Sequence, residues 1–471
     1  MDTTSARPIL AKTWDDSIIP SLVEYIRIPN QSPHFDPDWE ANGHMQRAMT
    51  LISDWCRDHM PEDASLEVLQ LPGRTPLMLI DVPAQGGSEG TLLLYGHMDK
   101  QPAMTGWEAG LGPWTPVIRD GRLYGRGGAD DGYAAFASVT ALNELRRQGL
   151  PHARAVILIE GCEESGSEDL PAYLELLGDR LGEPDLVICL DSGCANYDQL
   201  WCTTSLRGLL VGTLRVDVLR EGVHSGDAGG IVPETFGVLR RLLARLEDDA
   251  TGVVTLDELQ VEIPAARRAQ AATAVEALSG RVSTKYPFLE GVRAFGEDPV
   301  EQVLARTWRA AVAVTGAEGL PPLANAGNVL RPGTAVKLSI RLPPTCDPAR
   351  AAAAVRRTLT RDPPQGARVS FDGEGCRGWN APALAPWLEA ALEEASQAWF
   401  GRPACSMGEG GTIPFMAMLG ERFPAAQFMI TGLLGPGSNA HGPNEFLHIE
   451  AGKRLTGCVA QVIARHGRGV S

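Results

Sequence analysis

Histidine and carboxylate side chains recur in this 471-residue chain directly after short apolar runs that are typical of buried β-strands. His97 and Asp99 follow the run TLLLY, and Asp191 closes the run LVICL. Glu163 and Glu164 follow the run VILI. In an open α/β sheet the ligand crevice lies outside the carboxyl ends of the strands, so we expect these side chains to converge there.

A second acidic pair, Asp130 and Asp131, follows GRGGA at the predicted start of a helix. Five or six carboxylates cannot share one crevice as anions, because like charges a few ångströms apart repel strongly. Basic residues are scarce in these motifs, with Arg126 as the nearby candidate. Two divalent cations would balance the charge, and histidine with carboxylate suits zinc or manganese better than magnesium or calcium.

Each motif alone has a simpler interpretation. A His-x-Asp pair is usually a surface or capping pair, and an Asp-Asp pair before a helix is usually an N-cap in a favourable dipole field. Adjacent glutamates in a polar loop are usually solvated. Four such motifs in order, three of them directly after apolar strands, favour the metal site over these interpretations.

Other catalytic motifs fail in their context. Residues 86–90 match Gly-x-Ser-x-Gly, but a predicted strand follows where a nucleophile elbow needs a helix, so we interpret them as a hairpin turn. GRGGAD lacks the third glycine of a dinucleotide fingerprint. The sequence contains no His-Glu-x-x-His, which excludes a zincin.

Strands and helices alternate in the first part of the chain. The predicted strands are 76–82, 91–95, 154–159 and 185–190, and the predicted helices are 15–27, 43–58 and 133–147. This alternation predicts an α/β fold, with a central mixed, largely parallel sheet and helices on both faces.

The middle of the chain has a different pattern. Strands with one polar face are predicted at 209–218, at 335–342 and in the segment ending near 373, with helices at 233–247 and 349–361. This order predicts an inserted α+β, ferredoxin-like domain over residues 208–378, between catalytic-domain segments 1–207 and 379–471. Residues 255–330 are Ala-rich and receive no assignment.

The net charge of −16 is unevenly distributed. Residues 208–378 carry a net charge of +1 and the flanking segments −17. An acidic chain does not attract phosphate backbones, so we expect no nucleic-acid partner.

Features that direct a protein to a membrane or to secretion are lacking in the sequence. No apolar run approaches the ~20 residues of a membrane span, and the N-terminal segment has none that could serve as a signal peptide. Nine cysteines, an odd number without a Cys-x-x-Cys pair, argue against a disulfide framework. We therefore predict a cytoplasmic protein with no membrane partner.

Eight motifs together carry a family resemblance that runs along essentially the whole chain. They are GHMD, LYGRGGADD, EGCEESGS, LDSG, VHSGDAGG, SIRL, GEGGTIP and AHGPNE. The sequence resembles the dinuclear zinc metallopeptidase family 20, which includes carnosinase, cytosolic non-specific dipeptidase, carboxypeptidase G and aminoacylase. It is most similar to the carnosinase and dipeptidase branch, and the resemblance implies a zinc-exopeptidase-like catalytic domain with an inserted lid.

The resemblance implies five metal ligands. His97 and Asp191 match ligands of one metal ion, Glu164 and His441 match ligands of the other, and Asp130 matches the carboxylate that bridges both. The implied cofactors are two divalent ions, zinc first, with manganese or cobalt as alternatives.

The resemblance also implies two catalytic roles near the metals. Glu163 matches the general base that takes a proton from the metal-activated water and delivers it to the leaving amine. Asp99 matches the carboxylate that hydrogen-bonds the far nitrogen of His97 and fixes its orientation.

Substrate-binding residues are implied in the inserted domain and in a Gly-rich loop. Arg341 matches a binder of the substrate's terminal carboxylate, a role that suits a planar guanidinium. His224 matches the lid histidine that reaches the partner's site in a homodimer formed through the lid. Gly410, Gly411 and Thr412 match the substrate loop.

Two positions depart from the family pattern. Gly132 and Tyr133 follow the Asp-Asp pair where many relatives have Lys-Gly, and Gly408 stands where an Arg is common. Neither change removes an implied ligand, and both bear on substrate preference. An Asp at position 191 goes with aminopeptidases and dipeptidases in this family, whereas Glu is usual in acylases and carboxypeptidases.

These features predict an enzyme that hydrolyses dipeptides or short peptides with a free carboxylate. Two alternatives stay open on the sequence. One is an amidohydrolase that deacylates N-acyl amino acids, and the other is an inactive metal-binding scaffold protein.

Overall fold

The protein is described by a computed structural model over residues 1–469. Strands are numbered in chain order: β1 (Ser65–Leu69), β2 (Leu77–Val82), β3 (Thr91–His97), β4 (Val117–Arg119), β5 (Arg122–Tyr124), β6 (Arg154–Glu160), β7 (Leu186–Cys189), β8 (Trp201–Leu206), β9 (Gly208–Asp217), β10 (Val223–His224), β11 (Ala311–Glu318), β12 (Val329–Leu330), β13 (Gly333–Leu342), β14 (Arg368–Cys376), β15 (Trp379–Asn380), β16 (Cys405–Glu409), β17 (Gln427–Ile430) and β18 (Phe446–His448).

Helices are numbered in the same way: α1 (Thr3–Thr13), α2 (Ile19–Ile26), α3 (Trp39–Asn42), α4 (His44–His59), α5 (Ala134–Arg147), α6 (Leu170–Leu177), α7 (Ser225–Ala228), α8 (Thr235–Leu243), α9 (Ala265–Ala277), α10 (Pro299–Trp308), α11 (Pro348–Thr360), α12 (Pro386–Phe400), α13 (Pro414–Arg422) and α14 (Ile449–His466). A π-helical turn, Trp14–Ile18, joins α1 to α2, so the helix predicted over 15–27 begins earlier than expected.

A six-stranded mixed sheet forms the core of the larger unit, in the order β1-β2-β6-β3-β7-β17. The pairs β3–β6, β3–β7 and β7–β17 are parallel, and the pairs involving β1 and β2 are antiparallel. Leu92 and Leu94 are buried, and so are Leu93 and Tyr95, whose side chains point to the opposite face. Burial of both faces explains why these strands are apolar runs without alternation, and the predicted α/β fold is confirmed.

The predicted hairpin turn at residues 86–90 is wrong. Strand β6 lies between β2 and β3 in the sheet, so the segment joining them is a crossover. Local glycine and serine chemistry indicated a turn correctly, but it could not show that a strand from later in the chain inserts between the two flanking strands.

A second compact unit contains an antiparallel four-stranded sheet in the order β11-β13-β9-β14. Alternation in β9 is clear, with Leu210, Leu214 and Val216 buried against α8 and α11 in one apolar cluster. Both helices are amphipathic and begin with acidic caps, Glu234 for α8 and Asp347 for α11. The separate α+β sheet predicted for the middle of the chain is therefore present.

The two units interleave along the sequence. The first comprises Met1–Thr204, Ala381–Met407 and the chain from Met418 onward, and the second comprises Ser205–Asn380 and Gly408–Ala417. The catalytic role of segments 1–207 and 379–471 and the lid role of residues 208–378 stay predictions. In residues 255–330, which received no assignment, the structure contains α9, α10 and the edge strand β11.

No helix within residues 1–469 is long and apolar enough to cross a lipid bilayer. The cellular location inferred from the sequence stays a prediction.

Candidate metal centre

The strands of the large sheet deliver the predicted ligands to one edge. His97 is the last residue of β3, and Asp191 lies two residues beyond the end of β7. Glu164 lies in a short turn, Glu163–Ser165, that follows β6. Because β3 runs parallel to both β6 and β7, these three carboxyl ends adjoin, as the sequence predicts.

Three side chains form a first cluster around the imidazole of His97. Its Nε2 atom lies 3.4 Å from Oδ1 of Asp130 and 3.6 Å from Oδ1 of Asp191. Asp130 belongs to the turn Gly128–Gly132, between β5 and α5. All three side chains are buried, and their ligand atoms lie within 4.8 Å of one another.

A second cluster shares the carboxylate of Asp130. Nε2 of His441 lies 3.1 Å from Oδ2 of Asp130 and 3.5 Å from Oε2 of Glu164. Asp130 thus directs Oδ1 to one histidine and Oδ2 to the other. The structure therefore brings together all five residues that the sequence proposed as ligands.

The spacing of these atoms fits two metal ions. Two atoms that each lie ~2.0–2.1 Å from a tetrahedral zinc ion are separated by roughly 3.3 Å, close to the separations observed here. Nε2 of His97 and Oδ2 of Asp130 are buried and make no hydrogen bond within the described chain. Buried polar atoms are nearly always satisfied, and one of these two atoms belongs to each cluster, which fits a cation in each cluster.

Two carboxyl groups of the centre, those of Glu164 and Asp191, lie in an environment that disfavours their anionic forms. Burial, and next the charge of Asp130, raise the pKa of Glu164 to about 8. Burial raises the pKa of Asp191 to about 6, although the charge of His97 opposes this. Burial is the main cause of both shifts, and a cation bound nearby would offset it by favouring the anionic forms.

Glu163 and Asp99 lie beside the two clusters. Oδ1 of Asp99 accepts a hydrogen bond from the main-chain N–H of Glu163 at 3.0 Å, and Oδ2 accepts one from Glu164 at 2.9 Å. Nδ1 of His97 lies 3.4 Å from Oδ1 of Asp99 but only 3.1 Å from its main-chain carbonyl. Asp99 therefore holds the turn that carries both glutamates, in addition to contacting His97.

Side chains outside the predicted set support the ligands. Nε2 of Gln101 donates a 2.5 Å hydrogen bond to Oε2 of Glu164. The hydroxyl of Tyr133 donates to the carbonyl of Leu190, directly before Asp191. Gly132 is one of the two positions that depart from the family pattern. A Cβ there would lie 2.3 Å from the ring of Tyr25, so no side chain fits at this position. Only the sequence proximity of these residues to ligands could have indicated them.

The predicted substrate residues of the second unit form a group of their own. Nη1 of Arg341 donates to Oγ1 of Thr412 at 3.1 Å, and that hydroxyl donates to the carbonyl of Arg207 at 2.5 Å. Nε of Arg207 donates to the carbonyl of Gly410 at 3.1 Å, and Gly411 lies in the same loop. Arg207 was not predicted, because an arginine before a strand has no distinctive signature.

Gly408 has a structural reason for lacking a side chain. A Cβ there would lie 2.4 Å from Oγ of Ser205 and 3.0 Å from Cβ of Thr307, so an arginine does not fit. Arg306, on α10, contacts the neighbouring residue, and its Nη1 donates to Oε2 of Glu409 at 2.8 Å. The sequence contained no sign that an arginine on a distant helix contacts this loop.

His224 is exposed at the end of β10. Its Nδ1 accepts a hydrogen bond from the main-chain N–H of Gly226 at 3.1 Å, which caps α7. No hydrogen bond or ion pair within the described chain joins its side chain to the group around Arg341.

A mixed α/β sheet whose carboxyl edge carries two His/carboxylate clusters sharing one aspartate defines the class of dinuclear metallohydrolases. A family model described as peptidase family M20/M25/M40 matches residues 93–465. The chain belongs to this peptidase family, which confirms the resemblance carried by its motifs. Membership implies a dinuclear metal site.

Two relatives with dipeptidase names match over most of the chain. The cysteinylglycine-S-conjugate dipeptidase of Corynebacterium striatum is 28% identical over 89% of this chain and 89% of its own. The Beta-Ala-His dipeptidase of Homo sapiens is 27% identical over 86% of this chain and 82% of its own.

Solved structures show the same fold. Human carnosine dipeptidase 1 superposes with a TM-score of 0.82 at 21% identity, over 99% of both chains. The dipeptidase Dug1p of Saccharomyces cerevisiae superposes with a TM-score of 0.80 at 20% identity, over 100% of this chain and 99% of its own.

Proposed function

We propose that the protein is a dipeptidase that hydrolyses dipeptides or short peptides with a free carboxylate, using two divalent metal ions. The observation that carries this proposal is the pair of clusters sharing Asp130, because it offers one nitrogen and two carboxylates to each ion. The donor set suits zinc best. Two relatives matched over most of the chain carry dipeptidase names, which supports dipeptides as the substrate class.

The side chains beside the clusters support a general-base mechanism. When bound, two such ions polarise a carbonyl group and lower the pKa of a water molecule. Burial, and next the charge of Asp191, raise the pKa of Glu163 well above its usual value, which makes its carboxylate a stronger base. Glu163 then accepts the proton of the attacking water and delivers it to the departing amine.

Asp99 and the turn after β6 hold this base in place. Two main-chain hydrogen bonds to the carboxylate of Asp99 fix the backbone at Glu163 and Glu164. The carboxylate of Glu163 itself accepts no hydrogen bond in the described part of the chain, so it stays available for proton transfer. One aspartate therefore positions both the base and a proposed ligand.

Arg341 is the proposed binder of the substrate carboxylate, with Gly410, Gly411 and Thr412 as the adjoining loop. Burial, and then the charges of Arg341 and Arg306, lower the pKa of Arg207 to about 10. Neither Arg207 nor Arg341 forms an ion pair within residues 1–469. A carboxylate bound here would relieve the repulsion between these guanidinium groups, and arginine suits bidentate carboxylate binding.

A hydrolysis screen tests the function directly. Protein loaded with zinc, manganese or cobalt is incubated with dipeptides, C-terminally amidated dipeptides and N-acyl amino acids, and released amino acids are measured. We expect release from the free dipeptides, poor cleavage of the amides and none of the N-acyl compounds. Cleavage of N-acyl amino acids alone would identify an amidohydrolase, and cleavage of nothing by fully metal-loaded protein would identify a scaffold.

We also propose a homodimer formed through the second unit, in which His224 acts at the site of the other copy. Two features support it: His224 is exposed, and β11 is an edge strand whose outer residues are exposed. An exposed edge strand offers unpaired main-chain groups to a second copy.

Subunit complementation tests this arrangement. His224→Ala and Glu163→Ala proteins are each expected to be inactive, and mixing them should restore part of the activity. A mixed dimer has one site with an intact Glu163 and a His224 supplied by the other copy. Absence of recovery, when subunit exchange is demonstrated by differently tagged copies, would rule out the contribution of His224 across a dimer.

A further inference from the structure

Arg126 and Glu445 form an ion pair beside the metal centre. Nη1 of Arg126 contacts Oε2 of Glu445, and the two side chains are 1% and 0% exposed. Arg126 lies between β5 and the turn that carries Asp130, and Glu445 directly precedes β18, which pairs with β5. No step of the proposed mechanism uses either residue.

The pair joins three segments that carry proposed metal or catalytic residues. Nε of Arg126 donates to the carbonyl of Pro102 at 3.2 Å, in the segment after Asp99. Oε1 of Glu445 accepts from the main-chain N–H of Gly127 at 2.8 Å, three residues before Asp130. Nη2 of Arg126 donates to the carbonyl of His441 at 3.1 Å.

His441 depends on such a restraint more than the other proposed ligands do. Its side chain is 56% exposed, whereas that of His97 is fully buried, so packing cannot fix its direction. The backbone of His441 is left-handed, with a φ of 65°. Two other residues of the same loop, Asn439 and Asn444, are also left-handed, with φ angles of 52° and 60°. Left-handed backbone at a non-glycine residue such as His441 is unfavourable and persists only when the surroundings enforce it.

We propose that Arg126 and Glu445 are positioning residues, which hold the His441 loop so that its imidazole completes the cluster with Asp130 and Glu164. The inference rests on the proposed dinuclear centre. The guanidinium of Arg126 donates hydrogen bonds to the main-chain carbonyls of His441 and Pro102. Glu445 orients this guanidinium and also accepts a hydrogen bond from the main-chain N–H of Gly127. The first cluster depends on this restraint less, because His97 and Asp191 are buried and follow β3 and β7, and only the shared Asp130 lies near a segment that the pair contacts.

A double substitution separates positioning from stability. Removing one partner of a buried ion pair leaves an unpaired charge and destabilises a protein strongly, but replacing both partners by apolar residues of similar volume is often neutral. We therefore choose Arg126→Met with Glu445→Leu, followed by zinc stoichiometry from elemental analysis and zinc affinity from titration calorimetry, with thermal unfolding as the test of folding.

The double variant is expected to fold and to retain one tightly bound zinc ion per chain, while the affinity for the second falls by about 10–100-fold. A control for the loss of an ion pair is Arg154→Met with Asp81→Leu, a partly exposed pair at the amino end of β6, opposite the end that carries the metal centre. This control is expected to bind two zinc ions with unchanged affinity.

A conservative variant keeps the inference testable if the double variant does not fold. In Arg126→Lys the charge opposite Glu445 remains, but a single ammonium cannot reach the carbonyls of Pro102 and His441 together. Weaker binding of the second zinc ion is expected. Unchanged affinity for both ions in either folded variant would overturn the inference alone, whereas a wild-type protein that binds fewer than two ions would overturn the proposed centre.

Discussion

Replacing Glu163 with glutamine is expected to lower turnover by about 10²–10⁴-fold while leaving two metal ions bound. Glutamine keeps the size of the side chain but cannot accept a proton from water. The side chain is buried beside the clusters and is absent from both proposed ligand sets. The measurements are kcat on a dipeptide found in the screen and metal content by elemental analysis.

The same loop offers a matched control. Glu168 lies five residues further along the chain, and its side chain is 67% exposed beside His34. Glu168→Gln is expected to change neither turnover nor metal content. If Glu163→Gln lost a metal ion together with its activity, Glu163 would be a ligand and the proposed base would be wrong.

The position of the centre could be predicted because it follows from topology. Apolar runs predicted β3, β6 and β7, and parallel strands in an open sheet gather their carboxyl ends at one edge. His97, Glu164 and Asp191 therefore converge whatever the details of packing. His441 is different, since it lies in the long loop between β17 and β18, neither of which was predicted from the sequence, and only the family resemblance indicated it.

Interactions between distant loops could not be predicted. Arg126 and Glu445 are separated by 319 residues, and nothing in either segment specifies the other as its partner. The same is true of Arg306, whose guanidinium reaches Glu409 across 103 residues of the chain. Sequence motifs therefore located the chemical groups but not the side chains that orient them.

Strand β11 was missed for a physical reason. Most of its residues are exposed, and the segment AVAVTGAE begins with four apolar residues in a row, so apolar and polar residues do not alternate. It joins the sheet through main-chain pairing with β13, interrupted by a bulge between Val314 and Gly316. Main-chain pairing leaves little trace in side-chain patterns, so edge strands of this kind are difficult to predict.

The shared aspartate is the residue whose loss should affect the centre most. Asp130 offers Oδ1 to the cluster with His97 and Oδ2 to the cluster with His441. Asp130→Asn replaces a charged bridging group by a neutral amide with only one oxygen. We expect both metal ions to bind much more weakly. Activity should fall further than in Glu163→Gln, because without the metal ions the water is not activated and the base has no proton to accept.

Comparison with ligands that belong to one cluster makes this expectation specific. Asp191→Asn and His441→Ala should each weaken the binding of one ion, so that the metal content falls from two ions to one per chain. Asp130→Asn should lower the metal content toward zero. Asp185→Asn is the matched control, because Asp185 precedes β7 at the edge opposite Asp191 and lies beside His466. If Asp130→Asn retained one tightly bound ion, the carboxylate would serve a single metal, and the two clusters would not form one dinuclear centre.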